Sequence, residues 1–118
     1  MFRKPAGLSL DAVVSLDEVV TCLPVVQEVL QGFRDEKAFQ IAREGMLSLP
    51  IVESPLTELL YLEAVALYRA ARRQGLTIRS SMDCLIAACA IRHDLEVFHV
   101  DRDFRALSKV SALKQRAL

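Results

Sequence analysis

Tryptophan is absent from this 118-residue chain and aromatic residues make up only 6% of it, so little is available to build the stacked platforms usual in a sugar-cleaving cleft. Net charge is missing too, because fifteen Lys and Arg balance fifteen Asp and Glu. That balance removes the overall basic field of a protein that coats nucleic acid, while leaving room for a local patch. Arg69, Arg72, Arg73 and Arg79 lie close together, and the simplest reading of them is a solvated helix end favoured by the helix dipole. Glycine and proline number four each, too few for a disordered chain. No apolar run approaches the roughly 18 residues that cross a bilayer, and Met-Phe-Arg-Lys-Pro is not followed by an apolar signal core. The expectation is a soluble, cytoplasmic protein with no membrane partner.

Other absences narrow the chemistry. There is no G-x-G-x-x-G and no G-x-x-x-x-G-K, the backbone cradles of nucleotide folds. Cys22, Cys84 and Cys89 are odd in number and sit in apolar surroundings, as small core residues of a reducing compartment do. On one helix Cys84 points away from Cys89 and His93, which disfavours zinc. Neither His93 nor His99, the two histidines, has a nucleophile at a suggestive spacing. What remains is 53% hydrophobic and 25% charged, enough for one globular domain spanning 1–118.

The apolar period switches repeatedly between strand and helix spacing. "EVVTCL" (18–23) is short and β-branched, a buried strand, and "PVVQEVLQG" after it has proline in its first turn and glycine behind its last. Asp35 is placed to cap "EKAFQIAREGMLSL", which Pro50 stops. "PIVES" is a short strand. "LTELLYLEAVALYRAARRQG" is the longest helix, closed by Gly75. A helix follows over about 81–92, then the strand "LEVFHV" (95–100), then a helix from near Asp103 through "FRALSKV" and a basic tail expected to fray. Apolar strands joined through helices predict an α/β fold, a mostly parallel sheet with helices on both faces.

Parallel sheets bind ligands beyond the carboxyl ends of their strands, and three acids stand there. Glu28 lies about one helical turn beyond the first apolar strand, Asp83 heads the apolar run Cys84–Ile91, and Asp101 directly follows "LEVFHV". Each has a plain alternative. Glu28 shares the polar arc of its helix with Gln27 and Gln31. Asp83 stands three residues after Ser80, the spacing of a capping box. Asp101 and Asp103 are placed to cap the last helix. Together they read differently, since carboxylates crowded in one cleft stay ionised only against a cation, and Mg²⁺ takes such hard oxygen donors.

"VVTCLPVVQEVLQG" followed by "RQGLTIRSSMDCLIAACAIRHDLEVFHVDRDF" resembles the PIN-domain ribonucleases of the VapC toxin type, over about residues 17–107 and in the right order. In that family an x-x-E-L-x-x-G-like helix, an S-x-D-x-L-I-A-A-x-A helix and an L-x-T-x-D-x-D-F strand end supply the acids. The resemblance implies a Mg²⁺- or Mn²⁺-dependent endoribonuclease acting on RNA, a homodimer, restrained by a cognate VapB-type antitoxin. By position it makes Glu28, Asp83 and Asp101 catalytic metal ligands, with Asp103 a fourth metal candidate and Ser80 or Ser81 the polar neighbour. Arg79, Arg102 and Arg105, each near a proposed acid, are candidates for RNA phosphate contacts. His99 stands where the family has threonine.

The family also opens with a central strand reading like V-D-T-S, whose aspartate is a principal ligand. This chain begins Met-Phe-Arg-Lys, and neither Asp11 nor Asp17 follows an apolar strand. The expectation is an N-terminally shortened domain whose sheet carries a slot about 10 Å wide, of low stability and activity unless a partner strand fills it. The alternative function is then a catalytically inactive remnant that binds antitoxin or an intact toxin.

Overall fold

The computed structural model describes residues 2–3 and 19–118, with the backbone alone for Phe2 and Arg3. Asp11 and Asp17 lie outside the described residues. Among the described residues, five strands and five helices follow one another as β1 (Phe2–Arg3), β2 (Val19–Cys22), α1 (Leu23–Gln31), α2 (Glu36–Leu47), β3 (Ile51–Val52), α3 (Glu58–Arg73), α4 (Ser81–Arg92), β4 (Glu96–His99), α5 (Arg102–Lys109) and β5 (Lys114–Ala117).

The local signals explain most boundaries. Pro24 occupies the first turn of α1, where its missing N–H costs nothing. Asp35 caps α2 by accepting the Ala38 N–H at 2.8 Å, and Thr57 caps α3 by accepting the Leu60 N–H at 3.2 Å. Gly75 ends α3 with φ +74°, a left-handed backbone that favours glycine.

The sheet order is β3-β2-β1-β4-β5. β2 pairs with β3 and β4 with β5 in parallel, whereas β1 runs antiparallel to both of its neighbours. Four strands therefore share one direction, as the apolar runs predict. The connections leave β2 towards one edge of the sheet and β3 and β4 towards the other, and the helices pack as α1 on α2 and as α3, α4 and α5 on one another, with α4 also meeting α1.

Two expectations are corrected here. The central position is not an open slot: Phe2 stands in register between Val20 and Val97, and Arg3 between Val19 and Glu96. An extended segment that runs either way can satisfy the facing N–H and C=O groups, so two residues bridge the gap with reversed polarity. Nor does the basic tail fray. Residues 114–117 form β5 alongside β4, anchored by the buried Leu113. "KQRA" has no apolar alternation, and its strand character comes from the backbone ladder that β4 offers; its charges suit an exposed sheet edge.

α4 organises the core. Cys84, Ile86, Ala87, Ala88, Cys89 and Ala90 are all buried, and α4 packs against α1, α3, α5 and β4. A helix that is apolar nearly all round belongs inside a domain, and its small side chains let the neighbouring helices approach closely. All three cysteines are free and buried, as expected of small core residues.

Candidate metal centre

One charge breaks the apolar run of α4. Asp83 is 4% exposed, and its Oδ2 has no hydrogen-bond partner among the described residues. The capping-box reading of Ser80 and Asp83 fails on two counts. The Ser80 hydroxyl caps nothing, and the Ser80 N–H that a box carboxylate would take is bound instead by Asp103 Oδ2 at 3.0 Å. Asp103, fully buried, also accepts the Arg79 N–H through the same oxygen at 2.9 Å. A side chain of α5 thus caps α4. That leaves Asp83 free of local duty, since the amide it would have served is already taken.

Asp101 caps α5 by accepting the Asp103 N–H at 2.9 Å, so the expectation that one of these two acids would cap the last helix holds for Asp101. The same bond draws both acids to the head of α4. One ligand oxygen each from Asp83, Asp101 and Asp103 falls within 4.8 Å of the other two. With metal–oxygen distances of about 2.1 Å typical of Mg²⁺, a small carboxylate rotation would let the three oxygens share one ion. Asp103 Oδ1, like Asp83 Oδ2, is buried without a partner. Two buried carboxylate oxygens without partners are costly in an apolar interior, and a divalent cation is one group that would satisfy both.

Glu28 stands apart from this tight group, on the rim of the cleft. It is exposed, and with Val25, Ser80, Asp83, His99, Asp101 and Phe104 it lines a cavity of about 300 Å³. Its helix face meets water, as the solvated reading has it, and the same face lines the cleft. Burial and then the charge of Asp101 raise its carboxyl above the ordinary range. Asp83 is pushed up to about 7, first by burial, then by the neighbouring Asp103 carboxyl and by the charges of Glu28 and Asp101. Burial and the neighbouring acids push the Cys84 thiol up to about 11, which keeps it protonated and unsuited to nucleophilic work.

Of the two serines, Ser80 faces the acid cleft and Ser81 a hollow between α3 and α4. Arg102 and Arg105 line a second cavity of about 200 Å³ that shares His99, Val100 and Asp101 with the first. Arg79 takes part through its backbone N–H, and its exposed residue lines neither cavity. Sequence reasoning made Asp103 a fourth candidate behind Glu28; in space Asp103 sits inside the cluster and Glu28 at its edge. It missed Gln115, whose Oε1 lies 2.6 Å from His99 Nε2. No signal in "KQRA" announces that contact.

A family model for the PIN domain matches residues 3–110. Among curated proteins, VapC ribonuclease Mb1587 of Mycobacterium bovis and Ribonuclease VapC11 of Mycobacterium tuberculosis are each 35% identical over 96 residues, covering 81% of this chain and 71% of the relative. Among solved structures, a chain described as "Structure of FitAB bound to IR36 DNA fragment" superposes with a TM-score of 0.63 over 88% of this chain and 76% of its own. Its identity of 18% speaks for the fold alone. With the order of the acidic motifs, the sheet topology and these relatives in agreement, the chain belongs to the VapC family of PIN-domain proteins.

Proposed function

We propose that this chain is a Mg²⁺- or Mn²⁺-dependent endoribonuclease, the toxin of a toxin–antitoxin pair restrained by a VapB-type antitoxin. The observation that carries the reading is the convergence of Asp83, Asp101 and Asp103 with two partnerless buried oxygens, one on Asp83 and one on Asp103. The names of the 35%-identical relatives support the substrate class. Asp83, Asp101 and Asp103 would hold the ion. Once bound, a divalent cation polarises a phosphodiester oxygen and acidifies a water for in-line attack. The rest falls to the chain. Glu28, with its raised carboxyl at the cleft mouth, is suited to hold a proton at its carboxylate during attack, and Arg102 and Arg105 border Asp101 where flanking phosphates would lie.

With a fluorogenic single-stranded RNA, cleavage is expected with Mg²⁺ or Mn²⁺, abolished by EDTA and restored by added Mn²⁺. Cleavage indifferent to EDTA would remove the metal from the account. No cleavage of any RNA, with capture of a VapB-type antitoxin, would favour the inactive binding module.

The reading includes a homodimer, and α3 supports it. Tyr61, Leu62, Val65 and Tyr68 are 49%, 57%, 51% and 41% exposed along one face of that helix, with Glu58 before them and Arg69 and Arg72 after. In an antiparallel α3 pair centred on Val65, Leu62 meets Tyr68 of the second copy and Glu58 meets Arg72, so the pattern is self-complementary. E58R and R72E are each expected to dimerise at least tenfold more weakly than the natural chain, and mixing the two restores association. Sedimentation equilibrium checks this, and E58R pairing as tightly as the natural chain would dismiss the α3 interface.

A further inference from the structure

His99 ends β4 and is 6% exposed, and both of its ring nitrogens are engaged. Nδ1 accepts the backbone N–H of Asp101 at 3.1 Å, and Nε2 stands 2.6 Å from Gln115 Oε1 on β5. An amide N–H can only donate, so Nδ1 carries no hydrogen; Nε2 must then carry it and donate to the Gln115 carbonyl oxygen. The ring is held from a third side by Phe104, with centroids 5.0 Å apart and planes tilted by 42°. Its backbone is fixed as well, because the His99 C=O accepts the Leu118 N–H at 2.9 Å.

These bonds run on without a break into the acid cluster. Gln115 accepts from His99, His99 accepts from the Asp101 amide, Asp101 accepts from the Asp103 amide, and Asp103 accepts the two amides at the head of α4. Asp101 is the exposed member of the cluster, at a turn between a strand and a helix. Its backbone would be free to swing if nothing held the N–H. We propose that His99, locked as the Nε2–H tautomer by Gln115, is a positioning residue that fixes the Asp101 backbone so that its carboxylate faces Asp83 and Asp103. The edge strand β5 thereby becomes part of the site's scaffold. The inference rests on the metal-centre reading and adds the device that preorganises it.

The test is Mn²⁺ binding by titration calorimetry on the full chain, with circular dichroism to confirm folding. His99→Ala should weaken Mn²⁺ roughly tenfold, in the range of second-sphere substitutions at metal sites. His99→Thr should recover most of it, because a threonine hydroxyl accepts the amide two residues on. Gln115→Ala should fall between. His99→Ala binding Mn²⁺ as tightly as the natural chain, or His99→Thr as weak as His99→Ala, would overturn the proposal. A natural chain that binds no Mn²⁺ would instead overturn the metal-centre reading beneath it. Should His99→Ala fail to fold, the natural protein still decides: ¹H–¹⁵N long-range spectra must show His99 protonated at Nε2 and bare at Nδ1, and a hydrogen on Nδ1 refutes the bracket.

Discussion

Asp83→Asn is expected to abolish the proposed metal-dependent cleavage and at the same time to stabilise the metal-free protein. The first effect follows from the loss of a ligand charge. Substitutions one shell further out typically cost 10–100-fold, so at least about 100-fold is expected here. The second follows from the pKa. The Asp83 carboxyl sits near 7 in the folded chain against 3.8 as its ordinary value, raised by burial and by Asp103. A group raised on folding contributes stability that is complete below its unfolded pKa and is lost as pH climbs through its folded one. In EDTA the natural chain should therefore lose up to ~1.4 kcal/mol per pH unit between about pH 4 and 7, and the Asn variant should lack this slope. Above pH 7 the variant is expected to melt higher, by up to about 16 °C at roughly 4 °C per kcal/mol for a domain of this size. Saturating Mg²⁺ reverses the order, because only the natural chain gains binding energy. Melting curves from pH 5 to 8, with and without Mg²⁺, read all of this. An Asn variant less stable than the natural chain at pH 8 in EDTA would show that Asp83 is a structural carboxylate.

Asp103 separates folding from metal binding. Its Oδ2 takes the Arg79 and Ser80 amides in a fully buried setting. Asp103→Ala leaves both donors without their acceptor at the head of α4, and a loss of about 2–4 kcal/mol is expected from urea unfolding. Asp103→Asn is different. Its carbonyl oxygen can accept the same two amides, while its NH₂ replaces Oδ1 and can donate to the partnerless Asp83 Oδ2. The Asn variant should stay within about 1 kcal/mol of the natural chain yet bind Mn²⁺ at least tenfold more weakly, having lost an oxygen ligand. If Asp103→Ala unfolds at the same urea concentration as the natural chain, the clamp on α4 does not exist. If Asp103→Asn binds Mn²⁺ normally, Asp103 is a cap alone.

The sequence carried much of this. α4 runs from Ser81 to Arg92, where the apolar pattern places it, because a helix buried on nearly every side needs only an unbroken apolar stretch between a polar start and a turn. The caps at Asp35 and Gly75 are local chemistry, legible within a few residues. Glu28, Asp83 and Asp101 stood out because strand ends in a parallel sheet converge by topology.

What one dimension could not hold is which partner each polar group takes. The Ser80 amide had a fitting carboxylate three residues on and chose one from another helix, 23 residues away. β5 has no strand propensity of its own and exists because β4 offers it an edge; β1 reverses direction because a bridged slot needs hydrogen bonds more than it needs polarity. Residue types and their local periods determined the elements and the acids of the site. The competition among distant donors and acceptors, settled only when the helices pack, decided that Asp83 and Asp103 each keep a bare oxygen and that His99 bonds both Gln115 and the Asp101 amide.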